Sequence, residues 1–286
     1  MTDDDDARLA SARRLGAVVE PLAAAVYFSA EAQANYEALG LNYFEGYFCS
    51  RSAPLGAAPW RVVCATFAAF NPAVVERAVT QGWGKTTPAE LLRARLDGAR
   101  DQMAARVTAD DAEVVRVADA LLAATDGLDV SGRAVFAGLV GLPVPGPDDP
   151  IGRLWRACDR VREFRGDGHI AAWAPHFDSV EITTITEPWW GIPLDSYVWT
   201  RGYGPDDVAP ARARLAKRGL LNDDGTITDT GRAQREAVEV TTDQATLPVV
   251  DALGDDFDEL LATLTPWSDA MRGDGAYPVA RSSLFG

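Results

Sequence analysis

An arginine, two glycines and a histidine lie close together near the middle of the chain. They belong to residues 151–173, IGRLWRACDRVREFRGDGHIAAW, which begin with apolar side chains at three- and four-residue steps, the spacing of a helix with one buried face. Continuing that face leads to Arg165 and His169, which are four residues apart and therefore neighbours on a helix. Arginine can grip a carboxylate or phosphate with two hydrogen bonds, and histidine can exchange protons near neutral pH. The stretch therefore predicts a site for an anionic ligand or for proton transfer.

Gly166 and Gly168 separate these two side chains. Inside a helix each glycine costs about 1 kcal/mol relative to alanine, so something must offset that cost. The candidates are a break in the helix, a close helix crossing, or a ligand that needs the backbone within reach. In the last case Arg165, Gly166, Gly168, His169 and Trp173 form one face of a ligand site.

Two other interpretations of this stretch stay open. Arg165 could belong to a buried structural network, paired with Glu163, Asp167 or an acid from the first half of the chain. His169 could instead be catalytic, with Asp167 as the acceptor that orients the ring, although no nucleophile is visible at a diagnostic spacing.

Metal binding is not expected. His169 and His176 are the only histidines, so a metal would need a carboxylate or cysteine ligand from elsewhere. Cys49, Cys64 and Cys158 lie far apart and form no CxxC pair, which excludes a zinc ribbon or a disulfide framework. The sequence identifies no cofactor.

An aromatic cluster, LNYFEGYF at 41–48, precedes Arg51. With Tyr27 upstream, Tyr43, Tyr47 and Arg51 are candidates for a pocket that takes a flat or apolar ligand. The alternative is core filling with the tyrosine hydroxyls at the rim.

Composition limits the partners. The chain has 286 residues and a formal net charge of -15, which opposes binding to a polyanion such as DNA unless positive charge is strongly segregated. The start, MTDDDDARLA, is not a secretory signal, and no apolar run reaches the roughly 18 residues of a membrane span, so we expect no membrane partner and a cytoplasmic protein.

Element patterns predict a mainly α-helical protein with two domains. The segment 142–150, rich in proline and glycine, is predicted to connect an aromatic-rich, multi-helical domain at 7–141 to a helical domain at 151–270. A winged helix is expected at about residues 191–247, and residues 271–286 are expected to be a tail.

The winged-helix expectation rests on residues 203–243. A helix ending at Gly219 leads into Leu220–Leu221, a turn at 222–225, and Thr230-Gly231 before a closing helix. The segment LAKRGLLNDDGTITDTGRAQREAVEVTTD resembles the end of the reader domain of MarR-like regulators. Taken with EPLAAAVYFSAE, YFCSRSAPLG and RGDGHIAAW, the chain resembles a family of actinobacterial proteins described as helix-turn-helix proteins. The resemblance implies a mostly helical fold with a winged helix. It supplies no activity that can be carried over to this chain.

Charge argues against DNA reading by this module. Residues 205–247 carry six basic and eight acidic side chains, a net of -2. Asp206 and Asp207 stand where a recognition helix meets the bases, and Asp223 and Asp224 stand at the hairpin tip. A winged helix used for packing or for homodimerisation fits these charges better.

We therefore expect a protein that binds a small organic ligand, anionic or aromatic, between the first domain and the helix of Arg165 and His169. The first functional hypothesis is a ligand-responsive transcriptional regulator. The alternatives are an enzyme of secondary or cofactor metabolism on a winged-helix scaffold without DNA binding, with His169 as acid or base, and a non-catalytic interaction protein.

Overall fold

A computed structural model describes residues 3–273. Within that range the chain forms helices joined by short turns, and its one β-bridge joins Leu221 to Ile227. The predicted mainly α-helical fold is confirmed. The helices are α1 (Asp3–Ala24), α2 (Ala30–Ala38), α3 (Tyr43–Ser52), α4 (Trp60–Phe67), α5 (Pro72–Gly82), α6 (Pro88–Ala104), α7 (Asp111–Thr125), α8 (Ala134–Val140), α9 (Pro150–Trp173), α10 (Ser179–Trp190), α11 (Pro205–Lys217), α12 (Asp229–Gln244), α13 (Leu247–Leu253) and α14 (Phe257–Gly273).

Side-chain caps fix where several helices begin. Asn42 accepts from the backbone N–H of Glu45, whose carboxylate accepts in return from the N–H of Asn42. Asp178 and Glu181 form the same reciprocal pair at the start of α10. Each cap satisfies N–H groups that the first turn of a helix leaves unbonded, and a cap of this kind contributes about 1 kcal/mol.

Helix α9 is the central element. It packs against α1, α6, α7, α8 and α12, and it runs without a break through Gly166 and Gly168. A break in the helix therefore does not explain the glycines. The ring of Trp155 lies in the main core, and Trp173 lies in the core of the segment that follows.

The main hydrophobic core crosses the predicted domain boundary. It joins residues from α1 to α8 with the first half of α9, and it also includes α13 and α14, which pack against α1. A smaller core joins the end of α9 to α10, α11, α12 and the hairpin. No finding divides the chain into domains, so the division at 142–150 stays a prediction. Most of the predicted tail, residues 274–286, lies outside the described residues.

Helices α10, α11 and α12 with the hairpin at 220–228 make up a unit that we call the helix-turn-helix unit. Leu221 pairs with Ile227, and Asn222 N–H donates to the carbonyl of Thr226 at 2.8 Å, so the wing is a minimal hairpin. Residues 187–190 continue α10, although Pro188 and Gly191 are typical of a loop, and a short 3-10 turn, Val198–Arg201, follows.

By length and composition, one stretch of the described residues, Asp5–Ala38, could cross a membrane. Of its most apolar window, 67% is buried inside the fold, as in a core helix, and the stretch bends through a 3-10 turn between α1 and α2. The expectation of no membrane partner stays a prediction.

Candidate functional site

A cavity of about 220 Å³ opens at the junction between the main core and the helix-turn-helix unit. Its walls come from α1, α3, α9, α10 and α12, from residues 67–70 and from the turn Val198–Arg201. Sequence prediction placed a ligand site between the first domain and α9, and the cavity lies at that junction. The predicted residues that line it are Tyr27, Tyr47, Arg51, Arg165, Gly166, His169 and Trp173.

Three predicted residues lie elsewhere. Tyr43 is 44% exposed and packs its ring against Phe44 and Tyr47. Gly168 faces away from the cavity, as described below. Asp167 is buried on another side of α9, where its carboxylate accepts from the N–H of Phe136 at 3.0 Å.

The predicted orienting pair of Asp167 and His169 is not formed. Residues two apart on a helix point in nearly opposite directions, and Thr242 of α12 meets His169 instead, with Oγ1 2.9 Å from Nδ1. Because the Thr242 hydroxyl donates to the carbonyl of Val238 at 2.7 Å, its oxygen can only accept from the ring. This assigns the proton of the neutral imidazole to Nδ1 and leaves the Nε2 lone pair free.

His169 is neutral at pH 7. Burial lowers the pKa of its imidazole to about 4, although the nearby carboxylate of Glu239 works in the other direction. The side chain keeps 27% of its surface open and lines the cavity. His169 therefore offers an uncharged hydrogen-bond acceptor, or a weak base, to a molecule in the cavity.

The two glycines have different surroundings. A Cβ at Gly168 would lie 3.0 Å from Nη1 of Arg133 and 3.1 Å from Cβ of Ala245, so this glycine permits close packing. At Gly166 the nearest atom to such a Cβ would be an oxygen of Glu163 at 3.5 Å, an ordinary contact. Gly166 lines the cavity and is not explained by packing against a neighbouring helix.

Most arginines that line the cavity are paired with carboxylates. Arg51 grips Glu163 with two hydrogen bonds of 3.0 and 2.9 Å, and Arg162 binds both Glu163 and Glu20. Burial alone would raise the pKa of Glu163, but Arg51 and Arg162 hold it at about 2. This cluster is the buried floor of the site.

On the α12 side, Arg165 donates to Glu239 at 3.2 Å and to Asp243 at 3.0 Å. The predicted partners of Arg165, namely Glu163, Asp167 or an acid from the first half of the chain, are therefore wrong. Its Nε has no hydrogen-bond partner and lies against Gly16, where a Cβ would come within 2.7 Å. Gly16 thus makes room for the guanidinium.

Arg235, also on α12, donates to Glu239 at 2.7 Å and to Thr186 at 3.1 Å, and its guanidinium lies 4.3 Å from the ring centre of Trp189. Burial opposes ionisation of Glu239, but the charged groups of Arg235 and Arg165 hold its pKa well below the ordinary value. The carboxylate stays charged and fixes both arginines.

Sequence reasoning missed a further set of cavity residues. Trp189 and Trp190 lie on the last turn of α10 and line the cavity, although the neighbouring Pro188 and Gly191 are typical of a loop. Arg201 and Tyr197 come from a segment with no periodic pattern, so no local signal marked them.

Among the described residues, no group of three or more His, Cys, Asp or Glu side chains is placed to hold a metal ion. The cavity lining combines arginines and aromatic rings with one histidine, His169, and with the carboxylates of Glu20 and Glu239.

The arrangement of α10, α11, the hairpin and α12 defines the class as a helix-turn-helix protein. The sequence model of a helix-turn-helix family matches residues 12–278, so the chain belongs to this helix-turn-helix family. No curated protein and no solved structure matches the chain. The finer resemblance to MarR-like regulators stays a prediction.

Proposed function

We propose that this protein binds a small organic molecule in the junction cavity and that the helix-turn-helix unit responds to it. The observation that carries the proposal is Gly166. A glycine in the middle of a continuous helix costs about 1 kcal/mol, and here a Cβ would meet no clash. Gly166 lines a cavity whose lining also includes the free Nε2 of His169, and a large side chain at this position would occupy the cavity.

Cavity size limits the ligand. Ligand pockets commonly measure about 300–1,000 Å³, and an apolar cavity of about 150 Å³ can hold benzene. A cavity of about 220 Å³ therefore suits a molecule of one or two small rings.

The test is a pair of substitutions at one position. Gly166→Leu places a branched side chain in the cavity, whereas Gly166→Ala adds a methyl group that the structure accommodates. Native mass spectrometry of the purified proteins, followed by a ligand-observed NMR screen of small aromatic molecules, should find binding to wild type and to Gly166→Ala. Gly166→Leu should fold normally by circular dichroism and lose at least ten-fold in affinity. Equal binding to Gly166→Leu would place the ligand elsewhere and overturn the proposal.

We infer that ligand binding controls transcription, so that the protein is a ligand-responsive regulator. Family membership supports this inference, since the helix-turn-helix is an architecture of DNA-binding regulators. The cavity walls include α10 and α12, so a ligand that binds more tightly to one arrangement of these helices than to another would favour that arrangement of the unit.

The surface of α11 makes this inference testable. The arginines of α11, and Arg218 directly after it, form ion pairs with carboxylates of the same chain. Arg212 pairs with Asp195, Arg214 with Asp178 and Glu181, and Arg218 with Glu181. DNA contact through α11 would have to compete with these pairs. Selection from a random duplex pool at low salt should enrich a motif, and Lys217→Glu on the exposed face of α11 should weaken its binding. Absence of any enriched duplex would contradict a DNA-binding output.

A second candidate, catalysis, is supported by the free Nε2 lone pair of His169. As a base with a pKa of about 4, His169 would stay active above pH 5 and lose activity as pH falls through 4. If a reaction is found on a retained molecule, His169→Gln should abolish turnover while the fold persists. Turnover equal to wild type would exclude this role.

A further inference from the structure

Arg201 differs from the other arginines of the cavity lining. Its guanidinium lies over two aromatic rings, 4.6 Å from the ring centre of Phe70 and 4.5 Å from that of Tyr197. Nη2 donates to the hydroxyl of Tyr197 at 3.1 Å, and Nε is buried without a hydrogen-bond partner. Within residues 3–273 no carboxylate pairs with it, whereas Arg51, Arg162, Arg165 and Arg235 each hold at least one.

The position of Arg201 is fixed from two sides. Asn71, which caps α5, donates its backbone N–H to the carbonyl of Arg201 at 2.9 Å and its side-chain amide to the carbonyl of Gly202 at 3.0 Å. On the other side, buried Glu187 accepts the backbone N–H groups of Asp195, Tyr197 and Val198, each at 2.8 Å. These contacts hold the turn before any ligand arrives, which lowers the entropy lost on binding.

An arginine in this state lacks an anion. A guanidinium presents donors in a flat fork that matches a carboxylate, and stacking on rings keeps the fork in one plane. A buried Nε–H without an acceptor has lost its water and gained no bond in return, and a ligand oxygen can supply the missing hydrogen bond. The carboxylate that Arg201 lacks within the protein can thus come from the ligand.

Two other features restrict the rest of the ligand. Indole and phenol rings line the cavity, and such faces favour a flat ring. The free Nε2 of His169 accepts a hydrogen bond and cannot donate one, so the group beside it must be a hydroxyl or an N–H. A ligand without a donor would not form a hydrogen bond with this lone pair.

We propose that the ligand is a small aromatic carboxylic acid whose carboxylate pairs with Arg201 and whose hydroxyl or ring N–H donates to Nε2 of His169. This inference rests on the proposed function, because it assigns a chemical class to the same cavity. It adds a residue, Arg201, and a direction of hydrogen bonding at His169 to the site.

The experiment uses matched pairs of probes on the full chain. The acids are 4-hydroxybenzoate, 4-hydroxycinnamate and indole-3-carboxylate, and each is compared with its primary amide by calorimetry at pH 7. At least one acid should bind wild type, and its amide should bind at least ten-fold more weakly. For a hydroxy acid that binds, the 4-methoxy analogue, which has no donor, should also lose about ten-fold or more.

Two substitutions test whether Arg201 binds the carboxylate of the acid. Arg201→Met should reduce binding of the acid by 10- to 100-fold and leave binding of the amide nearly unchanged. Arg61→Met is the matched control, because Arg61 also stacks on a ring, that of Trp60 at 4.3 Å, but does not line the cavity. Arg61→Met should bind the acid as wild type does.

The outcomes separate this inference from the proposed function. If amides bind as tightly as acids, or if Arg201→Met binds the acid as wild type does, the acid class is overturned. Loss of that same binding in Gly166→Leu would nevertheless preserve the cavity as a ligand site. If no acid of the panel binds wild type, the inference fails, and the wider NMR screen then decides whether the cavity binds another class.

Discussion

Two parts of the cavity lining use arginine in different ways. Arg51 and Arg162 share the buried carboxylate of Glu163, and Arg162 also pairs with Glu20, so their charges are balanced within the protein. Arg201 lies over two aromatic rings and has no carboxylate partner among the described residues. A paired arginine holds the fold together, whereas an unpaired and fixed arginine is available to a ligand. Exposure alone does not separate the two roles.

Removing the shared carboxylate of Glu163 should have the largest effect on stability, because two buried arginines pair with it. In Glu163→Gln, Arg51 and Arg162 would stay buried without their common anion, and breaking such a pair costs about 3–5 kcal/mol. We expect the free energy of unfolding in urea to fall by that amount. Arg201→Met is the contrasting variant, with a loss below about 1 kcal/mol because it breaks no ion pair. Equal losses in the two variants would contradict the division between paired and unpaired arginines.

The pH dependence of stability tests the environment of His169. Its pKa is about 4 in the folded protein, whereas an unfolded histidine has a pKa of about 6.5. Between these two pKa values the unfolded chain binds more protons than the folded protein. The contribution of neutral His169 to the free energy of unfolding is therefore fully present above about pH 6.5 and is lost as pH falls to about 4. The difference corresponds to roughly 3 kcal/mol.

The measurement is urea denaturation at pH 7 and pH 4. Wild type should lose roughly 3 kcal/mol more than His169→Gln over this interval. His176→Gln serves as the matched control, because His176 is exposed, and it should follow wild type. Parallel curves for wild type and His169→Gln would show that the imidazole is not held neutral.

Replacing each of the two glycines of α9 by alanine should have smaller effects on stability, of opposite sign. Gly166→Ala should raise the free energy of unfolding by up to about 1 kcal/mol, since alanine favours the helix and meets no clash. Gly168→Ala should lower it, because its methyl group presses on Arg133 and Ala245. Chemical denaturation of both variants is the test, and destabilisation by Gly166→Ala would remove the argument that this glycine serves the cavity.

The smallest effect is expected at the surface of the helix-turn-helix unit. Arg212 and Asp195 form an ion pair with side chains 29% and 32% exposed, and such pairs contribute about 0–1 kcal/mol. Arg212→Ala should therefore change thermal stability only slightly. A loss comparable to that of Glu163→Gln would mean that α11 depends on its ion pairs as the core does.

The sequence allowed the helical class and the place of Arg165 and His169 on one face of a helix to be predicted, because these depend on local spacing. Gly166 and Gly168 could not be told apart, since their difference lies in Arg133 and Ala245, which come from distant parts of the chain. The partners of Arg165 are likewise contributed by α12, more than 70 residues away.

Arg201 is the clearest example of a cavity residue that could not be predicted from the sequence. Nothing in YVWTRGYG distinguishes it from other arginines, because its importance comes from Phe70, from the cap at Asn71 and from the absence of a carboxylate partner in the described structure. Trp189 and Trp190 could not be identified as cavity residues for a local reason. Pro188 and Gly191 are typical of a loop, yet tertiary packing extends α10 to Trp190.

The central claim is that Arg201 takes its anion from a ligand in the cavity. The most direct measurement is the Nε–H resonance of Arg201 in a ¹H–¹⁵N spectrum, assigned by its loss in Arg201→Lys and followed while the tightest-binding acid of the panel and its amide are added. The account predicts a downfield shift with the acid, none with the amide, and none with the acid in Gly166→Leu. An Arg201 resonance that stays in place while the acid binds would contradict it.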